Sequence, residues 1–420
     1  MAAQTKKPDD VVEAVIDLER LRGPHRMGWL HRQASAGGDV FSFEYDKAWL
    51  KHPDAFTFDP DLQLVEGRTY APAGRENFGI FLDSSPDRWG RLLMQRRAAH
   101  RAAKQGKPAP TLTAWDYLLG VHDITRLGAL RFRRSRGTPF LDDDALQAAP
   151  PVTSVRGLQA VSLRLEEEHA EEHPDYEKWL AQLVAPGSSL GGARPKAAVM
   201  DEQGRFCIAK FPSRRDTHDV GAWETVVHRL AGKAGIEVAE ARPLAMGDEG
   251  HTFLVRRFDR SETGGRRAYV SAMTLLQRQD GEPGASYLEM VELLQSRGAR
   301  TRADCAQLFR RVVFNILVSN TDDHLRNHGF FMEPQGLVLS PAFDMNPNPE
   351  RSELSLAIDE ANATCDVEVA LKTAGSYGLT AQQAADIVEE VRASVATWRG
   401  EASKLDISRA EQERLSAAFR

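Results

Sequence analysis

The residues best equipped for chemistry lie in one stretch, Asn320-Thr-Asp322-Asp323-His324-Leu-Arg326-Asn327-His328. Asp322 and Asn327 are five apart. That is the Asp-to-Asn spacing of protein-kinase catalytic loops, where the carboxylate accepts the substrate hydroxyl proton and the amide holds magnesium. Gly329-Phe-Phe331, the turn Glu333-Pro-Gln-Gly336 and Leu337-Val-Leu339 then read as a β-hairpin that ends near Asp344, 17 residues after Asn327. A hairpin returns the chain to its start, so Asp344 and Asn327 can share one site. A carboxylate and an amide, completed by phosphate oxygens and water, suit Mg2+. His324 and His328 are spaced H-x-x-x-H, but Leu325 stands where a zinc protease needs glutamate, and no cysteine or third histidine is near. The ligand set is oxygen-rich and hard, which disfavours zinc. The plain alternative is a polar loop capping a buried helix.

A second candidate is Ala185-Pro-Gly-Ser-Ser-Leu-Gly-Gly-Ala-Arg-Pro-Lys196, expected to be non-helical. Gly187-Ser-Ser189-Leu-Gly191 matches the nucleophile elbow G-x-S-x-G, but that motif needs a strand before it and a helix after it. Gly187 and Gly192 have P-loop spacing, yet Ala193-Arg194 replaces the required Lys-Ser/Thr. A phosphate-covering loop that feeds a β-hairpin fits better. Its glycines let backbone approach phosphate oxygens, and Arg194 and Lys196 add charge. A surface turn is the plain alternative. Downstream, Lys210 sits inside the apolar run Ile208-Ala-Lys-Phe-Pro212, and Glu224 follows 14 residues later on a helix. A lysine in such a strand is costly to bury unless it meets an anion. Strand lysine and helix glutamate after a glycine-rich loop is the kinase arrangement for holding the α/β-phosphates.

These residues need elements to position them. The run with apolar residues at 305, 308, 309, 312, 313, 316 and 317 is one face of a buried helix, opened by an apparent capping box at Thr301 and Asp304. Thr380 and Gln383 form a second capping-box pattern. Trp223 to Ala234 reads as helix and Phe253 to Phe258 as strand. Ala197 to Met200 and Phe206 to Phe211 flank Asp201-Glu-Gln-Gly204 as a hairpin. In the first 150 residues, Val11 to Leu18 and Val40 to Tyr45 read as strands, the second alternating Phe41, Phe43 and Tyr45. Asp83-Ser-Ser-Pro-Asp-Arg opens a helix with Ser85 as expected N-cap. Val155 to Leu163 reads as a strand, and Glu166 to Leu183 as an acidic helix broken at Pro174. No internal repeat is evident.

The chain has 420 residues and a net charge of −6, with 42% apolar and 27% charged residues. This describes a globular chain of two to three domains and argues against an overall basic field for nucleic acid; Arg88 to Arg101 is a candidate local basic patch. No run of about 18 apolar residues suggests a membrane span. The start, MAAQTKKPDD, lacks the apolar stretch of a signal peptide. Cys207, Cys305 and Cys365 are far apart and form no C-x-x-C pair, so a reducing, cytoplasmic setting is expected.

Together, Ser188-Ser-Leu-Gly-Gly-Ala-Arg-Pro-Lys196, Ile208-Ala-Lys-Phe-Pro212, Phe253-Leu-Val-Arg-Arg-Phe-Asp259, Asn320-Thr-Asp-Asp-His-Leu-Arg-Asn327 and Phe343-Asp-Met-Asn346 resemble the HipA-type serine/threonine kinase toxins of bacterial type II toxin–antitoxin modules. Trp49-Leu50, Leu82-Asp-Ser-Ser-Pro-Asp-Arg88 and Asp116-Tyr-Leu-Leu-Gly-Val-His-Asp-Ile-Thr-Arg-Leu-Gly-Ala-Leu-Arg131 resemble that family's N-terminal domain. The resemblance implies an α+β chain: a β-rich N-terminal domain (1–150), then a two-lobed kinase-like fold with a small lobe (151–265) and a mainly helical lobe (266–420). It implies Asp322 as catalytic base, Asn327 and Asp344 as Mg2+ ligands, and autophosphorylation on Ser189. ATP would meet Gly191, Gly192, Ala193, Arg194, Lys196, Lys210, Glu224, Arg256, Arg257, Phe258, His324, Asn327 and Asp344, with 256–258 as the hinge against adenine. The implied substrate is a translation protein such as an aminoacyl-tRNA synthetase. The implied partner is a HipB-like helix-turn-helix antitoxin, which carries most of the contact with operator DNA. The sequence departs from the family at Asp323, where glycine is frequent, at Arg194-Pro195, where Gln-Glu is common, and at Arg256, which replaces a frequent acidic residue. The competing readings are a non-toxic or small-molecule kinase of this fold, and a pseudokinase-like scaffold that docks an antitoxin or DNA.

Overall fold

The computed structural model describes residues 10–35, 38–143, 149–187, 192–247 and 249–420. The chain divides into two compact units, Met1–Phe206 with Asp259–Tyr269, and Cys207–Phe258 with Val270–Arg420. Both mix helix and strand, as expected of an α+β chain. Among the described residues, no helix is long and apolar enough to cross a membrane.

The first unit is built on a five-stranded antiparallel sheet in the order Arg68–Tyr70, Gly38–Tyr45, Gly23–Ser35, Asp10–Leu18, Leu130–Arg133. Period-two alternation puts Phe41, Phe43 and Tyr45 on its buried face. Phe81, from the short helix Gly79–Asp83, packs 5.5 Å from Phe43 and 6.0 Å from Phe132. The next helix, Arg88–Lys104, is capped by Asp87 and not by Ser85, whose hydroxyl donates to Phe81 O. Pro86 explains the shift: it biases the residue before it away from helical backbone, so the helix starts beyond it.

Two further expectations are corrected. Residues 155–165 form a helix, Val155–Leu165, not a strand. Val155, Leu158, Ser162 and Leu165 lie buried on one helical face, and that period outweighs the β-propensity of the valines. The acidic segment after it is broken at Pro174 as expected: a short 3-10 turn, Ala170–Glu172, precedes the proline, and the helix runs Tyr176–Gly187. That helix carries Ala185 to Gly187, residues expected in the non-helical loop.

The Asp259–Tyr269 excursion belongs to the first unit through its arginines. Arg260 donates to Ile124 O (3.0 Å) and Arg126 O (2.8 Å), and Arg266 donates to Asp123 O (2.6 Å) and Gly128 O (3.1 Å). Arg126, fully buried, donates to Ser84 O, Leu118 O and Val121 O at 2.8–3.0 Å. Three guanidinium groups thus satisfy carbonyls that loops would otherwise leave unpaired.

In the second unit, strand His251–Arg256 lies between Phe206–Lys210 and Ala241–Ala245, antiparallel to both; it ends two residues short of Phe258. Helix Val220–Lys233 packs on these strands. Helix Thr301–Leu317 buries Cys305, Leu308, Phe309, Val312, Val313, Ile316 and Leu317 as expected. It opens without the expected capping box: Thr301 Oγ1 donates to Leu294 O, and the Asp304 carboxylate accepts Leu339 N–H (3.1 Å). The box at Thr380 and Gln383 is formed. Strands Gly329–Glu333 and Gly336–Leu339 make the expected hairpin, paired from Phe330↔Leu339 to Glu333↔Gly336. Its turn requires glycine: Gly336 has φ +134°, and a Cβ there would meet Arg297 O at 2.4 Å.

Candidate functional site

The strand Phe206–Lys210 ends at a lysine that is 9% exposed. Its Nζ lies 2.5 Å from Glu224 Oε1 on helix Val220–Lys233 and 2.6 Å from Asp344 Oδ1. Burial alone would lower the Lys210 pKa, but the Asp344 and Glu224 carboxylates more than offset it and hold the ammonium charged. One turn after Glu224, burial pushes His228 down to about 4, so this imidazole is neutral. Asp344 adopts φ +58°, a left-handed conformation rare for a non-glycine residue.

Asp322 and Asn327 lie just beyond helix Thr301–Leu317, and Asn327 Nδ2 donates to Asp322 O (3.2 Å). Asp322 is exposed and Asn327 buried. This loop is stitched to the Asp344 loop by backbone donors: Asn346 N–H to Asn320 Oδ1 and Asn348 N–H to Ser319 O, each 3.0 Å. The hairpin therefore does return Asp344 beside the 320–327 loop. His324 is half-buried. Its Nδ1 and the Oδ1 of Asn346 are buried with no hydrogen-bond partner among the described residues. An orphaned amide oxygen two residues from Asp344 fits a hard cation held by oxygen donors. Asn346 had no place among the sequence candidates; its spacing from Asp344 was the available signal.

Asp323, a departure from the family pattern, is the anchor of the loop. It is 3% exposed, and its Oδ2 accepts from Tyr287 OH, from Asn315 Nδ2 (2.8 Å) and from His328 Nε2 (2.8 Å). Burial would raise its pKa, but His328 and Tyr287 hold the carboxyl below its ordinary range. Tyr287 and Asn315 come from other helices, so sequence spacing did not reveal this network.

Of the hinge candidates, Arg256 N–H donates to Glu240 O (2.8 Å), Arg257 is buried, and the Phe258 ring lies 5.3 Å from Phe343. In the first unit, Ser189 and Gly191 fall outside the described residues. Gly192 (φ +84°) donates its N–H to Asp87 Oδ2 at 2.6 Å, Ala193 is exposed, Arg194 half-buried, and Lys196, 4% exposed, begins strand Lys196–Met200.

The profile of the HipA-like C-terminal domain matches residues 188–398, half of the chain. The chain belongs to the HipA-like family. Among curated proteins, Y4mE of Sinorhizobium fredii, whose name designates it a kinase, is 28% identical over 148 residues (33% of each chain). A kinase-named protein of Haemophilus influenzae is 24% identical over 209 residues, 42% of this chain and 60% of that one. Toxin YjjJ of Escherichia coli is 25% identical over 170 residues, 38% of each. The chain thus spans between a third and three fifths of these relatives' lengths. HipA from Shewanella oneidensis, solved with HipB and operator DNA, superposes with a TM-score of 0.64 at 16% identity, over 97% of this chain and 94% of that one. Over its described residues this HipA-like chain therefore has the HipA fold.

Proposed function

We propose that this HipA-like protein is an ATP- and Mg2+-dependent serine/threonine protein kinase acting as the toxin of a type II toxin–antitoxin module. The observation that carries the reading is the Lys210 ammonium shared between Glu224 and Asp344, on a loop stitched to the one bearing Asp322 and Asn327. Lys210, oriented by Glu224, binds nucleotide phosphates. Asp322, exposed, accepts the proton of the incoming serine or threonine hydroxyl. Asn327 and Asp344, with the Asn346 amide oxygen as a further donor, would hold Mg2+, which would supply charge neutralisation for the transferred phosphoryl group. Asp323 fixes the loop so that Asp322 needs no reorganisation, and positioning of this kind accounts for most of phosphoryl-transfer catalysis. Arg256, Arg257 and Phe258 face adenine, and His324 and the Gly191–Lys196 arm complete the nucleotide contacts. This reading keeps 1–150, 151–265 and 266–420 as domain, small lobe and helical lobe.

Autophosphorylation falls on Ser189, where about two negative charges would repel the loop from bound phosphates. The protein substrate is a translation factor such as an aminoacyl-tRNA synthetase, and the setting is cytoplasmic. The partner is a HipB-like helix-turn-helix antitoxin, supported by the Shewanella complex. The test is transfer from labelled ATP by purified protein, followed by site mapping and an unbiased phosphoproteome after brief expression. Asp322→Ala should abolish transfer while nucleotide still binds, and Asp344→Ala should also lose Mg2+-nucleotide binding. Retained transfer in Asp322→Ala removes that residue from its role. Phosphate found only on small molecules would replace the protein-kinase reading.

A further inference from the structure

The exit of the glycine-rich loop is gripped by the start of helix Arg88–Lys104, more than 100 residues earlier in the chain. Gly192 makes a reciprocal pair: its N–H donates to Asp87 Oδ2 (2.6 Å), and its carbonyl accepts Trp89 N–H (3.2 Å). A third bond runs from Trp89 Nε1 to Lys196 O (3.0 Å), and the Trp89 side chain is buried. Both ends of the five-residue arm Gly192-Ala-Arg-Pro-Lys196 are therefore fixed, all within the first unit. Asp87 does two jobs. Oδ1 accepts Arg88 N–H (2.8 Å) as the helix N-cap, and Oδ2 holds Gly192. The cap alone needs only one oxygen. The second oxygen spends a charge-assisted hydrogen bond on a loop glycine, a bond of the stronger class. An arm left unanchored would lose more conformational entropy when it orders around a ligand.

We propose that Asp87 and Trp89 are positioning residues for the nucleotide triphosphate, holding the Gly192–Lys196 arm in its phosphate-binding conformation before nucleotide arrives. This rests on the kinase reading above. Gly192 then serves as the anchor of the arm, its N–H committed to Asp87, and the phosphate contacts fall to its neighbours.

The discriminating variant is Asp87→Ser. A serine hydroxyl still caps the helix, but it is too short to reach Gly192 as well. Trp89→Phe keeps the buried ring and removes only the Nε1 donor. Affinity for Mg2+-ATP and for adenosine is measured on the full chain by calorimetry, with circular dichroism to check folding. The expected result is about ten-fold weaker ATP binding in Asp87→Ser, the scale of one charge-assisted hydrogen bond. Trp89→Phe should show a smaller loss in the same direction, and adenosine, which lacks phosphates, should bind both variants as it binds wild type. ATP affinity unchanged in both variants overturns the proposal. So does an equal loss of ATP and adenosine binding, which would mean general damage. If Asp87→Ser does not fold, Trp89→Phe alone decides by the same criteria. Failure of wild type to bind ATP would instead strike the kinase reading.

Discussion

Replacing Asp323 with alanine tests whether the catalytic-loop candidate is held from behind by a buried charge. One carboxylate oxygen receives three donors, from Tyr287, Asn315 and His328, in a site 3% exposed. Removing one partner of a buried, hydrogen-bonded charge pair costs about 3–5 kcal/mol, because the remaining groups stay buried and unpaired. For a unit of roughly 150–250 residues, each kcal/mol lowers Tm by about 2–4 °C, so the expected fall is about 6–20 °C. Asp323→Asn keeps an acceptor oxygen and loses only the charge, so it should cost about 1–2 kcal/mol, the difference between a charged and a neutral hydrogen-bond acceptor. Calorimetry reads both. In the same preparations, below Tm, phosphate transfer by Asp323→Ala should drop more than ten-fold, because a misplacement of about 1 Å near reacting groups costs about 10²-fold. A Tm within about 2 °C of wild type, equivalent to less than about 1 kcal/mol, would refute the argument, since it would mean the three donors find other partners. Full transfer activity in a destabilised Asp323→Ala would refute the second half alone.

Three further outcomes follow from the same contacts. Glu401 accepts from Lys233 (2.7 Å) and Lys404 (2.6 Å), which hold its carboxyl down to about 2. A depressed carboxylate stabilises the fold above its unfolded value of about 4.3, so the Tm advantage of wild type over Glu401→Gln should be full at neutral pH and vanish between about pH 5 and 2. Because both lysines are substantially exposed, that advantage should stay near 1 kcal/mol. Arg126→Met leaves the carbonyls of Ser84, Leu118 and Val121 without their buried donor and should cost about 3 kcal/mol or more by urea unfolding, whereas a loss below about 1 kcal/mol would show that water replaces the guanidinium. Glu411 Oε1 accepts both Trp223 Nε1 (2.8 Å) and Asp219 N–H (3.0 Å) at the start of the helix that carries Glu224, so Glu411→Ala should speed hydrogen exchange across 219–224 and weaken ATP binding by a few-fold; unchanged exchange there would remove Glu411 from that role.

Elements whose burial pattern is local were readable in the sequence. Phe41, Phe43 and Tyr45 alternate on a strand, and the apolar face of Thr301–Leu317 repeats from Cys305 to Leu317, more than three turns. Where local signals compete, tertiary contacts decide the outcome. Val155 and Val161 favour a strand by type but lie on a helical face by spacing. Four capping-type residues precede Arg88, and Pro86 decides among them. Thr301 and Asp304 have the spacing of a capping box, but Asp304 is spent on the N–H of Leu339, a contact between residues 35 apart. The candidate site divides the same way. Asp322, Asn327, Asp344, Lys210 and Glu224 stand out in the sequence because their order and spacing follow the kinase pattern. Asp323, Tyr287, Asn315 and the Asp87 to Gly192 bond are not, because their partners meet only after folding.

The charges of the site argue for the same chemistry as its spacing. Lys210 carries one positive charge against the two carboxylates of Glu224 and Asp344, so the cluster is net negative even before the exposed Asp322 is added. A nucleotide triphosphate brings further negative charge to a region where burial strengthens repulsion. Lys210 cannot resolve this alone, since it already shares its proton donors between two acids. On the proposed function, Asn327 and Asp344 would hold a divalent cation that would offset this repulsion, leaving Lys210 to bind phosphate. The Lys210–Asp344 ion pair would then be exchanged for metal and phosphate contacts, so Mg2+ and nucleotide should bind more tightly together than either does alone.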